Sequence, residues 1–460
     1  STLKGSIINM AYVLPKFTRE EVLEMDHKYN VHSWSAQKKL TNIIPVEKSE
    51  GIYFWDYNGK KYYDMSSQLV NMNLGHGNRY IIDAIKQQAE ELCFIAPGQS
   101  VGIRAALAKR IVERAPEGMS RVFFCNGGAD SNENAIKMAR LASGRPKILS
   151  MYRSYHGATI VAGNVSGDGR RFSAEIGGNA PGVVHFHGPF PYREEIAFES
   201  EAAETAYHLT MLEKTIIAEG HDKIAAIILE SIVGANGVIM YPEGYLAGVR
   251  ALCDKYGIFM ICDEVMAGFG RSGKWFAIQN WGVSPDMISF AKGVNSGYVQ
   301  LGGVIMNEKV ASHFDDNVLG CGLTYQGHPL ACAAGYASID YFEDHNILDN
   351  VNKVGKVLGE ILEEMKEKHA CVGDVRYIGL FSAIDLVKDK ATKEPIDEYG
   401  MGNPNQKSVI AKCKELGFYT YGRDNVVQVC PPLIITEEEL REAMKILDEV
   451  LTWADEQFCK

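Results

Sequence analysis

The chain has 460 residues, of which 46% are hydrophobic, so it can bury the core of a large enzyme. Its net charge of -11 argues against nucleic-acid binding as the main function. The ten cysteines form no CxxC pair, the first ten residues do not resemble a signal peptide, and no apolar run approaches the about 20 residues of a membrane span. We therefore predict a cytoplasmic protein without disulfides, membrane contacts or a nucleic-acid partner.

The N-terminal part of the chain is irregular to about residue 51 and contains the motif HSWS at 32–35. Two aromatic runs follow at 52–57 and 60–64, and Asn58 and Gly59 separate them. This dipeptide between such runs is typical of a tight β-hairpin. We assign residues 1–65, including the hairpin, to part of a small domain.

Short apolar runs alternate with helical patterns from about residue 80 to residue 310. The predicted strands are 122–125, 147–150, 183–186, 224–229, 258–262, 287–290 and 303–306. Helical patterns such as 81–92 and 245–255 lie between many of them. This alternation predicts an α/β fold with a large, mainly parallel, doubly wound sheet, and we assign it to a domain spanning 66–335.

After about residue 335 the sequence pattern changes and predicts charged amphipathic helices and short strands. The last helix is predicted to begin after Thr436, because Thr436 and Glu439 have the spacing of a capping box. We assign residues 336–460 to a smaller α+β domain.

A carboxylate and an amine close two of the predicted strands. Asp263 follows the run at 258–262, and Lys292 follows the run at 287–290. The carboxyl ends of parallel strands form the edge at which ligands bind, so we expect both side chains at one site. A lysine there can form a Schiff base with an aldehyde, and a buried aspartate suits a pyridinium nitrogen. The pair predicts pyridoxal phosphate (PLP) as the cofactor.

Two further features could serve the same cofactor. The turn formed by Gly127, Gly128 and Ala129 leads from a strand into a helical pattern at 130–141, where backbone N–H groups can converge on a phosphate. Because Asp130 would repel that phosphate, we expect its side chain to turn away and cap the helix. Tyr155 follows a strand and could stack on a flat heterocycle. Taken alone, each feature is equally compatible with ordinary packing.

Three other motifs are discounted. The sequence 268–273 matches GxGxxG, but no convincing helix follows it, so a dinucleotide-binding oxidoreductase is the weaker interpretation. His185 and His187 have no cluster of carboxylates nearby in sequence, and we predict no metal site. HExxH does not occur, so a metal hydrolase is not supported.

These residues resemble the class III aminotransferases, which are PLP enzymes of fold type I, over nearly the whole chain. The matching segments are 75–77, 126–140, 154–158, 263–273, 291–293, 324–334 and 431–436. The resemblance implies that Lys292 holds the cofactor and later moves a proton, and that Asp263 keeps the pyridine nitrogen protonated. It also implies that Val265 and Tyr155 cover the two ring faces.

The resemblance further implies that backbone groups at 127–129 bind the phosphate, and that the partner subunit's Thr324 adds a hydroxyl to it. The active sites would then be shared in a homodimer, or in a tetramer built from such dimers. His156 and Glu230 match positions near the cofactor.

One departure from the family concerns substrate binding. Ornithine- and GABA-type members have a glutamate that gates a mobile arginine, but Ala235 occupies that position here. Arg423 matches the arginine, and without the glutamate we expect it to meet substrate anions freely. The segments 32–35, 66–71 and 95–98 resemble the taurine-using branch, which implies that Trp34 lines the substrate pocket.

The expected reaction is transamination of an ω-amino acid, with taurine as the donor and 2-oxoglutarate as the acceptor. A transaminase that uses pyruvate and acts on β-alanine, GABA or an amine stays open, because a pocket separates ligands that differ by a methylene by only about 1–3 kcal/mol. An aminomutase or racemase of the same fold is the second alternative.

Overall fold

The computed structural model describes residues 11–459. Residues 1–10, on which the expectation of no signal peptide rests, lie outside the described residues, as does residue 460. The strands are β1 (Val46–Glu50), β2 (Tyr53–Asp56), β3 (Lys61–Asp64), β4 (Met119–Cys125), β5 (Lys147–Met151), β6 (Val183–Phe186), β7 (Ile224–Glu230), β8 (Phe259–Asp263), β9 (Met287–Phe290), β10 (Gly302–Asn307), β11 (Val372–Ile378), β12 (Phe381–Asp389), β13 (Glu394–Pro395), β14 (Phe418–Tyr419) and β15 (Val426–Val429).

The α-helices are α1 (Arg19–Tyr29), α2 (Ser67–Val70), α3 (Arg79–Glu91), α4 (Gly102–Arg114), α5 (Gly128–Ser143), α6 (Ile160–Val165), α7 (Glu201–Glu219), α8 (Tyr245–Tyr256), α9 (Glu308–Ala311), α10 (His313–Asp316), α11 (Pro329–Asp344), α12 (Ile347–Lys368), α13 (Pro404–Glu415) and α14 (Glu437–Phe458). Short 3₁₀ turns follow several strands. The α2 segment is an irregular turn, because Gln68 and Leu69 leave helical geometry.

Seven strands form the large sheet, in the order β4-β10-β9-β8-β7-β5-β6. The five strands from β9 to β6 pair in parallel, whereas β10 runs antiparallel to both β9 and β4. All seven strands predicted from apolar runs lie in this sheet. The mainly parallel α/β architecture is therefore confirmed.

The strand β7 shows why the apolar runs are unbroken, since each of its residues is buried. Neighbouring residues of a strand point to opposite faces of the sheet. Accordingly Ile227 belongs to a core that includes residues of α8, and Ile228 belongs to a core that includes residues of α5. Helices cover both faces, as expected for parallel strands.

The predicted hairpin is present as β2 and β3, which pair antiparallel, with Gly59 at a φ of +79° in the turn. The strand β1 extends the hairpin on one side, and β14 pairs with β3 in parallel on the other. The N-terminal hairpin is thereby joined to the C-terminal region. A second small sheet contains β11, β12 and β13, with β15 also paired to β12.

The boundary predicted at residue 335 falls inside α11. Ala331 on this helix belongs to the core of the large sheet, whereas Phe342 belongs to the core shared by α12, α14 and the small sheets. One helix therefore runs through both cores.

The start of α14 is as predicted. The hydroxyl of Thr436 accepts a hydrogen bond from the N–H of Glu439 at 3.1 Å, and the Glu439 carboxylate accepts one from the N–H of Thr436 at 3.0 Å. Within residues 11–459, no helix is both long enough and apolar enough to cross a lipid bilayer. All ten cysteines carry free thiols.

Candidate active site

Three chemically active side chains meet at the carboxyl edge of the large sheet. Glu230 and Asp263 are the last residues of β7 and β8, and they lie opposite each other in the parallel register. Lys292 begins a short turn after β9, the next strand across the sheet. The structure thus brings the predicted lysine and aspartate to one edge, where ligands of open α/β sheets bind.

Lys292 is held in a defined position by the irregular α2 turn. Its Nζ donates a hydrogen bond to the carbonyl of Leu69 at 2.7 Å, and its backbone has a φ of +46°. Burial lowers the pKa of Lys292 to about 8, although Asp263 and Glu230 oppose that effect. A substantial fraction of the amine is therefore neutral near pH 8, as a nucleophile or a general base requires.

Asp263 is buried and accepts several hydrogen bonds. Its Oδ1 accepts from the N–H of Val265 at 2.9 Å, and its Oδ2 accepts from Nδ2 of Asn132 at 2.9 Å. The Nδ1 of His156 lies 2.8 Å from the same Oδ2. These donors hold the carboxylate in place, as the binding of a ring nitrogen needs. The role of Asn132 could not be predicted, because buried and exposed asparagines look alike in sequence.

His156 acts on the site through Asp263. Burial lowers the pKa of His156, but the hydrogen bond to Asp263, together with the negative charges of Asp263, Glu230 and Asp168, outweighs this effect and raises the pKa above its usual value. The buried Nε2 has no partner among residues 11–459. The sequence predicted contact with the cofactor for this residue, and the structure places it against the carboxylate that would hold the cofactor.

Glu230 fixes the loop that carries Tyr155. Its two carboxylate oxygens accept from the N–H groups of Tyr155 at 3.0 Å and Gly234 at 2.8 Å. Burial, with a contribution from the neighbouring Asp263, raises the pKa of Glu230 to about 7. Glu230 therefore connects two loops at the edge of the sheet.

The N-terminus of α5 offers free backbone donors. As expected, the Asp130 side chain folds back and accepts from the N–H groups of Asn126 at 2.9 Å and Gly127 at 2.8 Å. The N–H groups of Gly128 and Ala129 have no acceptor within residues 11–459. A Cβ added at Gly128 would lie 2.8 Å from Cγ1 of Val265, so only glycine fits this approach. The turn thus suits a phosphate.

These residues fit pyridoxal phosphate. Free N–H donors at the start of α5 match its phosphate, the Asp263 carboxylate matches its ring nitrogen, and the Lys292 amine matches its aldehyde. Val265 is adjacent to Asp263 and packs against Gly128, between the groups that match the ring and the phosphate.

Tyr155 has a neighbour that the sequence did not indicate. The guanidinium of Arg170 lies 3.4 Å from the centre of the Tyr155 ring, so it covers one face of that ring. Arg170 belongs to the 3₁₀ turn after Asp168, a segment that carries no strand-end signal. An arginine in such a turn cannot be distinguished by sequence from a solvated one.

A cavity of about 1400 Å³ opens beyond these residues. Its wall includes Trp34, Asp168, Arg170 and Arg423, but not Lys292 or Asp263. The cavity therefore lies next to the sheet edge, because Arg170 both lines the cavity and covers the ring of Tyr155. Trp34, predicted to line the substrate pocket, lies in this wall and is 59% exposed.

Arg423 is not free of carboxylates, contrary to the expectation from Ala235. Its Nε lies 3.7 Å from Oδ2 of Asp168, a residue that is 2% exposed. The Asn236 side chain donates to the same Oδ2 at 3.1 Å. The prediction was wrong because it considered only the loop of Ala235, whereas Asp168 reaches Arg423 from a different part of the chain.

Thr324 lies on an exposed loop and makes no hydrogen bond within residues 11–459. Tyr325, its neighbour, is also largely exposed. This arrangement leaves the predicted role of Thr324 toward a partner subunit as a prediction.

One cluster, of which Glu194 and His208 line the cavity wall, has the composition of a metal site. Ligand atoms of Glu194, Glu204 and His208 lie within 4.8 Å of one another, although the sequence predicted no such cluster. The Nε2 of His208 is already 2.7 Å from a Glu194 oxygen, so we assign no metal to the cluster. His185 and His187, by contrast, pack against the ring of Tyr152.

The GxGxxG segment has a structural role. It leads into a 3₁₀ turn, Ala277–Trp281, and not into an α-helix. Arg271 within the segment is fully buried and donates to the carbonyl of Leu380 at 3.0 Å and to Oδ1 of Asn73 at 3.0 Å. The segment therefore connects the domain of the large sheet to the C-terminal domain, through the bond from Arg271 to Leu380.

The comparisons with known proteins agree with this geometry. Residues 34–451 match the family model of class-III aminotransferases. A taurine–pyruvate aminotransferase from Bilophila wadsworthia is 34% identical over 96% of this chain and 99% of its own. A putrescine–pyruvate aminotransferase from Pseudomonas aeruginosa is 32% identical over 94% of this chain and 96% of its own. A solved structure of taurine:2-oxoglutarate aminotransferase from Bifidobacterium kashiwanohense, in complex with PLP and glutamate, is 54% identical with a TM-score of 0.95, and the match covers 97% of this chain and 100% of that one.

Proposed function

The chain belongs to the class-III aminotransferases, and on that premise we propose that it transfers the amino group of taurine to 2-oxoglutarate with pyridoxal phosphate as its cofactor. The observation that carries the choice of substrates is the 54% identity, over 97% of the chain, with an enzyme of that specificity. Arg170 and Arg423 in the cavity wall support it, because both substrates are anions.

Each part of the cofactor has residues that would hold it. When bound, pyridoxal phosphate supplies an aldehyde that accepts the amino group and a ring that withdraws electrons from the substrate carbon. Lys292 would hold the aldehyde, Asp263 the ring nitrogen, and the N–H groups of Gly128 and Ala129 the phosphate. Val265 and Tyr155 would enclose the ring.

Lys292 also has the properties of the proton carrier. The pKa of its amine, lowered by burial to about 8, lies close to physiological pH. A general base works best when its pKa lies near the operating pH. We infer that Lys292 would take the proton from the amine-bearing carbon of the donor and pass it to the cofactor. In the second half-reaction it would move a proton the opposite way, from the cofactor to the acceptor carbon.

Anion recognition is the role of Arg170 and Arg423. An arginine presents a planar, permanently charged group that can donate two parallel hydrogen bonds to a carboxylate or a sulfonate. Taurine carries one sulfonate, and 2-oxoglutarate carries two carboxylates. Since both substrates use one site in turn, the kinetics should be ping-pong.

We propose that the enzyme is a homodimer, or a tetramer of dimers, in which the partner subunit's Thr324 completes the phosphate site. Exposed apolar side chains support an interface near this loop, since Val318 is 90% exposed and Tyr325 is also exposed. Light scattering should then give at least twice the mass of the chain, and Thr324→Val should weaken the binding of PLP. A monomeric, fully active protein would contradict this arrangement.

We also propose a cytoplasmic location. The free state of all ten cysteines supports a reducing compartment. Fractionation of cells that express the untagged protein would test this, and recovery of the protein from an extracellular or periplasmic fraction would contradict it.

The substrates are tested by product analysis. The PLP-loaded enzyme is incubated with taurine and either 2-oxoglutarate or pyruvate, and glutamate, alanine and the aldehyde product are measured. We expect glutamate, together with one equivalent of the aldehyde left by taurine. A higher kcat/KM with pyruvate would indicate the alternative acceptor, as the name of the Bilophila relative suggests. Turnover without any keto acid would indicate an aminomutase or racemase. Faster reaction of β-alanine or GABA would reject taurine.

A further inference from the structure

Asp168 is a buried carboxylate that faces two arginines of the cavity wall, Arg170 and Arg423. It is 2% exposed, and it caps the 3₁₀ turn that follows, since its Oδ1 accepts from the N–H of Arg170 at 2.9 Å. Its Oδ2 lies 2.6 Å from Nη2 of Arg170 and 3.7 Å from Nε of Arg423. One carboxylate therefore serves as the counter-ion of two guanidinium groups.

The two arginines are not held equally. Arg170 donates to both oxygens of Asp168, with Nε at 3.1 and 3.2 Å from them. The Asn236 side chain also donates to Oδ2. Arg423 is beyond hydrogen-bonding distance, and its buried Nε has no acceptor within residues 11–459. Arg423 is thus attracted to Asp168 without a hydrogen bond between them, and its side chain is 29% exposed, so no hydrogen bond to Asp168 has to break when Arg423 meets an incoming anion.

Asp424, the other acid beside Arg423, is a weaker counter-ion. Burial raises the pKa of Asp424, even though Arg423 and Arg153 oppose that shift. The pKa of Asp168, by contrast, is lowered: burial raises it, but its hydrogen bonds to Arg170 and the charges of both arginines outweigh that effect. Asp168 is therefore the carboxylate that competes with substrate for Arg423.

We propose that Asp168 is a specificity-determining positioning residue, the internal anion that substrate carboxylates displace from Arg423. The proposal rests on the proposed function. Two guanidinium groups and one carboxylate leave a single positive charge, which matches the one sulfonate of taurine. A second carboxylate, as in 2-oxoglutarate, brings a second negative charge toward Asp168. Asp168 should therefore weaken the binding of dianions more than that of monoanions.

The test uses unreactive anions and the PLP-loaded enzyme. Glutarate is a dianion and ethanesulfonate a monoanion, and neither has an amine or a keto group. We expect Asp168→Asn to lower the Kd of glutarate by about five- to tenfold, because a nearby negative charge is removed. The Kd of ethanesulfonate should change by less than about threefold. Calorimetry measures both without turnover.

The matched control is Asp385→Asn. Asp385 is also buried and also pairs with two arginines, Arg193 at 2.7 Å and Arg376 at 3.1 Å. The Asp385→Asn substitution should leave the ratio of the Kd of glutarate to the Kd of ethanesulfonate unchanged. In the Arg423→Met background the effect of Asp168→Asn on glutarate should largely disappear, since the double-mutant cycle isolates the contact between the two residues.

Asn236→Ala gives a second readout that does not change the charge. It removes a competing donor from Oδ2, so Arg423 should bind Asp168 more strongly and the Kd of glutarate should rise about twofold. Weaker glutarate binding in Asp168→Asn, or an effect that survives in Arg423→Met, would overturn the proposal. If the enzyme does not transaminate taurine, the proposed function fails, whereas these binding experiments still decide the role of Asp168.

Discussion

The two ends of the active site are built differently. At the sheet edge, Asp263 is held by a backbone N–H, an amide and an imidazole, and Lys292 by a backbone carbonyl. At the cavity end, Asp168, Arg170 and Arg423 hold one another, and the Arg423 side chain is 29% exposed. The first end uses buried backbone and side-chain partners, whereas the second uses charges that a substrate can replace.

This difference follows from what each end has to do. A cofactor stays in place through the whole cycle, so the groups around it gain from rigid hydrogen bonds. Two different anions must enter and leave the cavity in turn. Charged groups that exchange partners allow this, because a substrate anion replaces an existing ion pair and no bare charge is left buried.

Loss of the lysine should have the largest effect. Lys292→Ala should lower kcat by about 10²–10⁴-fold or more, because both the general base and the anchoring amine are lost. Borohydride reduction followed by peptide mass spectrometry should locate the cofactor on Lys292 in the unmodified enzyme and on no residue in the variant. Reduction that links the cofactor to another lysine would contradict the distinction between the two ends.

A substitution at the cavity end should raise the KM of a substrate and leave the affinity for the cofactor unchanged. Arg423→Met should raise the KM for 2-oxoglutarate by about 10- to 100-fold, since a hydrogen bond to a charged group contributes about 1.5–3 kcal/mol. The affinity for PLP, measured by fluorescence titration, should stay within about twofold. An unchanged KM, or a large loss of PLP affinity, would mean that the two ends are not separate.

The pKa of Lys292 gives a pH-dependent test of the sheet edge. Burial lowers this pKa to about 8, so the neutral amine increases as the pH rises through that value. Between pH 7 and pH 9 the rate of PLP uptake by the cofactor-free protein should therefore rise about tenfold and then level off. Stopped-flow absorbance measures this rate. A rise centred near pH 10.5 would show that the amine is not buried in this way.

A change outside both ends should affect stability alone. Thr436→Ala removes the side-chain cap of α14 and should lower the free energy of unfolding by about 1 kcal/mol. The value of kcat should not change, because α14 packs in the core of the small sheets. Chemical denaturation and steady-state kinetics provide the two readouts. A change in kcat would connect this helix to the site.

Much of the sheet edge could be predicted from sequence. Strands covered on both faces appear as unbroken apolar runs, and the residues that end them fall at the ligand edge. All seven strands of the large sheet, as well as the positions of Asp263 and Lys292, followed from this rule. The Leu69 carbonyl did not, because it depends on the irregular α2 turn, where Ser67, Gln68 and Val70 have positive φ values.

The cavity end was harder to predict for a physical reason. Asp168 and Arg170 lie in a charged loop, and such residues are usually solvated. Their burial depends on contacts with residues far along the chain, including Asn236 and Arg423. The pairing of β14 with β3 is non-local in the same way. Neither periodicity nor local propensity carries information about such contacts.

The central claim is that one site takes the amino group from taurine and gives it to 2-oxoglutarate. The most direct test is the absorbance spectrum of the PLP-loaded protein after taurine is added without any keto acid. If taurine is the donor, we expect the absorbance of the bound aldehyde form to be replaced by that of pyridoxamine phosphate. Addition of 2-oxoglutarate should then restore the first spectrum. A spectrum that taurine leaves unchanged, while another ω-amino acid converts it, would contradict the assignment of the donor.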